Sequence, residues 1–163
     1  MPARRIEEGV EVPSIELKHT FQIAAPPEEV FAHLAEPSHY VGLSPLVVAV
    51  RDVRGDGGTV HYTGVERFRF LGVLRHDNLI DVTLTAAPDG LPHSAEVSGE
   101  VRSPAGVRMS YRFVIDRDEA GSVVTDTLRL RTPLGLLRFA AAQARKVQRS
   151  RARILTDRLT RPT

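Results

Sequence analysis

Five side chains stand where an ordinary core would not put them: Glu66, His76, Asn78, Asp126 and Arg151. Each falls among apolar residues at the spacing of its element. In 59–70 the even positions Val60, Tyr62, Gly64, Phe68 and Phe70 are the more apolar set, and Glu66 lies among them. In 74–86 the even positions Leu74, Ile80, Val82 and Leu84 carry His76 and Asn78 with them. In 122–131 Asp126 shares a row with Val124, Leu128 and Leu130. Period-two alternation puts each such row on one face of a strand. Unpaired carboxylates are costly inside a core. Inward Glu66 and Asp126 would therefore require water, histidine, arginine or a ligand beside them.

A hairpin turning near Gly72 sets Glu66 opposite Asn78 and Phe68 opposite His76. Glu66, Asn78 and His76 then form one polar cluster. A carboxylate beside imidazole can orient it as a general base, or the two can be a structural hydrogen-bonded pair. A hairpin near Ala120 sets Asp126 opposite Phe113 and diagonal to Tyr111. The candidate catalytic set is thus Glu66, His76 and Asp126. A one-residue slip would send these groups to solvent. Tyr62, Phe68, Phe70, Met109, Tyr111 and Phe113 supply an apolar wall with two hydroxyls, suited to a ligand pocket or to a plain core. His19 lies on the apolar side of the first strand, as a ligand contact or a satisfied core histidine.

These rows need a cover, and the last thirty residues provide it. Thr132 can cap and Pro133 suits a first helical turn. From Leu134 to about Leu159 the residues Leu137, Ala140, Ala141, Ala144, Val147, Ile154, Leu155 and Leu159 share one side of a helix. Arg138, Arg145, Lys146, Arg149 and Arg153 share the other. A helix of about 25 residues spans roughly 40 Å. Ala140, Ala141 and Ala144 would roof a cavity between the larger anchors Leu137 and Leu155. Arg151 lies on the apolar side near Gln148. It can pair with a buried acid, clamp a ligand carboxylate or phenolate, or lean out past the sheet edge.

Before this helix the order is a strand from Ile15 to Ile23, two short helices opened by Pro26-Pro27-Glu28-Glu29 and by Pro37, and six further strands joined by short turns. Acids and proline suit a helix start. Short turns imply an antiparallel meander. Residues 1–12 are expected to form a flexible arm, and 13–163 a single domain.

Composition narrows the classes. The chain has 163 residues, 42% of them hydrophobic, and no cysteine, which excludes disulfides and thiolate chemistry. Residues 133–163 hold eight basic side chains against Asp157 alone, a net +7, which leaves −5 elsewhere in a chain of net +2. Such a basic face is a solvated surface or attracts an anionic partner. The aromatics fall mostly on the inner rows, which argues against nucleic-acid binding. The beginning of the chain lacks a signal-peptide apolar region and no run is long enough to span a bilayer, so a cytoplasmic protein is expected. No His-Glu-x-x-His is present, and Gly55-Asp56-Gly57-Gly58 lacks the Gly-Lys-Ser/Thr of a phosphate loop. Ser44 and Ser110 lack the motif of a nucleophilic serine. No metal or cofactor is expected.

The stretch His19-Thr-Phe-Gln-Ile-Ala-Ala-Pro-Pro-Glu-Glu-Val-Phe-Ala-His-Leu-Ala-Glu-Pro-Ser-His-Tyr resembles the opening of bacterial members of the START-related SRPBCC superfamily. The order of elements resembles its helix-grip fold across nearly the whole chain. Many bacterial relatives carry a tryptophan shortly after the second helix, where this chain has Val41-Gly42-Leu43-Ser44-Pro45. The resemblance implies an α+β fold, a seven-stranded curved antiparallel sheet wrapped around a long C-terminal helix, with a cavity between. It implies a carrier of a small hydrophobic molecule (polyketide, aromatic, steroid-like or lipid), or a cofactor-independent polyketide cyclase/dehydratase closing a ring by aldol chemistry with loss of water. A third reading is a partner-binding protein using the basic helix face. A monomer or homodimer is expected.

Overall fold

The computed structural model describes residues 13–70, 74–104, 106–133 and 135–161, apart from the side chains of Asp56, Arg69 and Phe70. The expected arm at 1–12, the turn at Gly72 and the side chain of Phe70 lie outside the described residues. The elements run β1 (Ser14–Ile23), α1 (Pro27–Leu34), a 3₁₀ turn (Pro37–Tyr40), β2 (Val47–Asp56), β3 (Thr59–Phe70), β4 (Leu74–Ala87), β5 (Ser94–Arg102), β6 (Arg108–Asp118), β7 (Gly121–Arg131) and α2 (Leu137–Thr160). All strand pairs are antiparallel, in the order β1-β7-β6-β5-β4-β3-β2. Consecutive β1 and β2 are therefore opposite edges. The segment containing α1 and the 3₁₀ turn carries the chain across the whole sheet.

Alternation decides which face is covered. In β7 Ser122, Val124, Asp126, Leu128 and Leu130 are all buried. Their partners Tyr111, Phe113 and Ile115 are buried in β6. Phe113, Ile115, Leu84, Val97, Val124 and Leu155 lose all their exposure. Each such side chain contributes about 1.5–3 kcal/mol by leaving water. The two expected hairpin registers are present: Glu66 pairs with Asn78, Phe68 with His76, and Asp126 with Phe113.

The final helix differs from expectation at its start. It begins at Leu137, without a side-chain cap, rather than at Pro133. Gly135 has φ +93, a left-handed conformation that interrupts a helix. Thr132 is buried in place of capping, its hydroxyl donating to Pro133 O at 3.2 Å. The two-sided character of α2 stands. Ala141, Ala144, Gln148, Arg151, Ala152 and Leu155 are buried, while Arg138, Arg145, Lys146, Arg149 and Arg153 are exposed. The helix lies chiefly over β1 and β7.

Its C-terminal end is fastened by Arg158. Nη1 donates to His39 O at 2.7 Å and Nη2 to Val41 O at 2.9 Å, while Nη1 also meets His33 Nε2 at 3.2 Å. The rings of His33 and His39 stack with centroids 4.1 Å apart. Burial, then His39 and Arg158, lower the pKa of His33 from 6.5 to about 4. The folded chain thus refuses a proton that the unfolded chain accepts. This contribution to stability is complete above about 6.5 and is lost as pH falls toward about 4. Urea denaturation across that window is expected to show a smaller decline in His33→Gln. An equal decline in both proteins would place the acid sensitivity elsewhere.

Candidate ligand site

Asp126, from the middle of β7, and Arg151, from the apolar side of α2, meet beneath the helix. Arg151 Nη2 donates to Asp126 Oδ2 at 2.5 Å, and the side chains are only 4% and 1% exposed. The guanidinium carbon lies 4.7 Å from the Phe113 ring centroid, a cation–π contact. Gln148, one turn earlier on α2, donates to Asp126 O at 3.0 Å and to Leu17 O at 3.3 Å. It fixes the helix over the β1–β7 pair. Arg151 thus pairs inward, and does not lean out past the edge. Burial opposes its charge, but Asp126 beside it offsets this and the pKa shifts upward.

Arg151 also forms one side of a cavity of about 50 Å³. Tyr40, Tyr62, Glu66, Met109 and Tyr111 line it, with Ser44, Val47, Gly64, Ile80, Val82 and Val101. The tyrosines come from three elements. Tyr40 ends the 3₁₀ turn, and its hydroxyl donates to Leu34 O at 2.7 Å. The Tyr111 ring stands 6.3 Å from Tyr40 and 5.8 Å from Phe113, centroid to centroid. Burial raises the pKa of all three phenols, so each remains a neutral donor at physiological pH.

The hydrogen-bond ledger does not close here. Among the described residues, the Tyr111 hydroxyl, Asp126 Oδ1 and Arg151 Nε are buried without a partner. The Tyr111 hydroxyl lies beside those of Tyr40 and Tyr62 but makes no well-formed hydrogen bond to either. Leaving a buried polar group unsatisfied costs about 1–3 kcal/mol. Glu66 is half-buried on the cavity wall, and burial raises its pKa above the ordinary carboxylate value. This wall offers donors from Tyr111 and Arg151 and a carboxyl group from Glu66, set in an apolar surround.

Of the residues singled out from sequence, the fold brings Tyr62, Glu66, Met109, Tyr111 and Arg151 to the cavity, with Asp126 and Phe113 supporting Arg151. It separates the others. His76 lies two residues nearer the β3–β4 turn than Asn78 and is exposed. Among the described residues it makes no hydrogen bond to Glu66, so the expected Glu66–His76 pair does not form. Asn78 and Phe68 are half-buried outside the cavity lining. His19 stacks on Phe21 at 5.7 Å and borders a surface recess with Lys18, Arg145 and Arg149. Ala144 is buried in the core without touching the cavity. The expected alanine roof is closed down on β1 and β7, and the open space lies toward β3, β4 and the 3₁₀ turn. Tyr40 was missed. Its only signal was an aromatic three residues after the helix-opening Pro37.

The architecture is that of helix-grip proteins: one curved antiparallel sheet, a short helix after its first strand, and a long C-terminal helix. The chain belongs to the family described as polyketide cyclase / dehydrase and lipid transport, which it matches over residues 14–161. Among solved structures it is similar to the Zhui aromatase/cyclase from Streptomyces sp. R1128, with TM-score 0.72 and 15% identity over 90% of this chain and 94% of that one. It is also similar to truncated norcoclaurine synthase from Thalictrum flavum, with TM-score 0.63 and 11% identity over 94% and 98%. A third is TTHA0849 from Thermus thermophilus, with TM-score 0.61 and 18% identity over 90% and 97%. At such identities these likenesses establish the fold. No curated protein matches the chain in sequence. Among the described residues, no helix is long and apolar enough to cross a membrane.

Proposed function

We propose that this protein binds a small, largely apolar, oxygen-bearing molecule between the sheet and α2, with the oxygen against Tyr111 and Arg151. A polyketide, aromatic, steroid-like or lipid molecule fits that description, and the setting is the cytoplasm. The observation that carries this reading is the pair of buried donors, the Tyr111 hydroxyl and Arg151 Nε, left without partners on two residues of one cavity wall. A ligand oxygen would satisfy both. The cavity of about 50 Å³ admits only a group of a few atoms. The oxygen-bearing end therefore enters first, and side chains must move to admit the rest. The family's description, which joins cyclases with lipid transport, supports either a carrier or an enzyme.

Calorimetric titration with 2-naphthol and with naphthalene tests the binding step, because the two differ by one hydroxyl. The alcohol is expected to bind about tenfold more tightly, the worth of one hydrogen bond to a buried donor. Equal affinities would remove the basis for the reading.

Glu66 favours a second reading, a cyclase/dehydratase. A carboxyl group with a raised pKa, on the same wall as two donors, can take an α-proton while Arg151 and Tyr111 stabilise the enolate oxygen. The enolate carbon would attack a second carbonyl, whose oxygen becomes an alkoxide and takes the proton back from Glu66. Glu66 would then remove the remaining α-proton as the β-hydroxyl's C–O bond breaks, and that proton and the hydroxide would leave as water. No cofactor is required. Glu66→Gln should retain 2-naphthol binding under both readings, and should abolish turnover of a poly-β-ketone only under the second.

A further inference from the structure

The outer face of the sheet carries an arrangement that neither the core nor the cavity requires. β5 ends, β6 begins and β7 ends at one level. The register there sets Arg102 opposite Arg108, and Arg108 opposite Arg131. All three are exposed. Neighbouring strands lie about 5 Å apart, so three cationic side chains leave one row roughly 10 Å long. Like charges directly opposite one another destabilise a sheet.

Two other arginines on this face are matched by acids. Arg129 Nε meets Glu16 at 2.7 Å, and Arg112 Nη2 meets Glu96 at 2.7 Å. Among the described residues, Arg102, Arg108 and Arg131 have no such partner. Glu100 lies two residues before Arg102, opposite Ser110, and pairs with none of them. The row borders a groove of about 240 Å³, whose lining also includes Arg129, Ser110 and Glu100. Asp81 stands opposite Arg102 on β4 with no ion pair between them among the described residues, and no acidic residue stands opposite Arg108 or Arg131. A local rule broken with so little compensation marks a site kept for function more often than for stability.

We propose that this groove binds a compact multivalent oxyanion, a phosphate or diphosphate group. Three guanidinium forks along one row can donate paired N–H bonds to phosphate oxygens, and the anion would cancel the repulsion among them. The side chains point away from the cavity. Alternation sends Met109 inward to the cavity wall, and Arg108 and Ser110 outward to the groove. Val101 and Met109 border both spaces, but none of the three arginines lines the cavity.

The test is calorimetric titration with inorganic pyrophosphate, and with adenosine diphosphate as the same anion on an organic body, at constant ionic strength in chloride. Saturable binding with a sub-millimolar dissociation constant is expected from at least one of them. Tighter binding of the free ion would assign a free anion, and tighter binding of the nucleotide a phosphorylated organic molecule. Arg108→Gln, at the centre of the row, should weaken binding at least tenfold and raise the melting temperature by relieving the repulsion. Arg153→Gln, on the exposed side of α2, should change neither. Binding of 2-naphthol should be unaffected by Arg108→Gln, which separates this proposal from that for the cavity. The proposal is overturned if neither anion saturates, if Arg108→Gln binds as wild type, or if Arg153→Gln weakens binding equally.

Discussion

Asp126→Ala is expected to cost about 3–5 kcal/mol, because it leaves the Arg151 guanidinium buried beneath α2 with its counter-charge gone. Arg151→Met should cost a similar amount, by stranding the carboxylate. Either is a large share of the roughly 5–15 kcal/mol that holds a domain of this kind folded. The double variant Asp126→Leu/Arg151→Met should recover most of the loss, since apolar side chains of comparable volume have no charge to desolvate. Chemical denaturation of the three variants measures the cycle. Recovery of stability without recovery of 2-naphthol binding is the expected signature of a pair retained for its role at the cavity. Single variants within about 1 kcal/mol of wild type would mean that water reaches the pair.

The second large effect is expected at Gly99. A Cβ built there would lie 2.3 Å from Thr83 O and 2.5 Å from the Tyr111 ring and hydroxyl. Gly99 is paired with Tyr111 across β5 and β6, so the ring folds over the space a side chain would occupy. Gly99→Ala should cost about 3 kcal/mol, the upper end for overpacking, because the Thr83 carbonyl is backbone and cannot swing away. It should also displace the Tyr111 hydroxyl and weaken ligand binding. Adding Tyr111→Leu relieves only the ring contact, so the melting temperature should recover in part. Full recovery would show that the carbonyl is not the obstacle, and a neutral Gly99→Ala would show that the strand can shift.

Much of this was legible in the sequence because strand alternation is strict. Asp126 could be placed in a row of buried residues, opposite Phe113, from spacing and one turn. Glu66 could be set opposite Asn78 in the same way. Arg151 was the one charged residue near the centre of an apolar helix face, and it does meet an acid. What failed was three-dimensional. Alternation gives the face of a strand but not how far a covering helix extends, so it puts His76 with Glu66 although His76 stands exposed toward the hairpin's turn. By size alone the alanines of α2 suit the roof of a cavity. Small side chains instead let the helix settle closely onto β1 and β7, and the open space moved toward the 3₁₀ turn. Tyr40 has no periodic signal in the sequence, because its hydroxyl bond to Leu34 depends on the turn. The row of Arg102, Arg108 and Arg131 is visible only once three strands are in register.

The central claim is that the cavity holds an oxygen-bearing apolar molecule on Tyr111 and Arg151. The ratio of 2-naphthol to naphthalene affinity, measured by calorimetry in the wild-type protein and in Tyr111→Phe, tests it most directly. The phenylalanine variant keeps the ring and removes only the unpartnered hydroxyl. A ratio of about ten in the wild type, falling several-fold in the variant, is the predicted result, in line with one lost hydrogen bond. A ratio near one in both proteins, or a ratio unchanged by the substitution, would contradict the account.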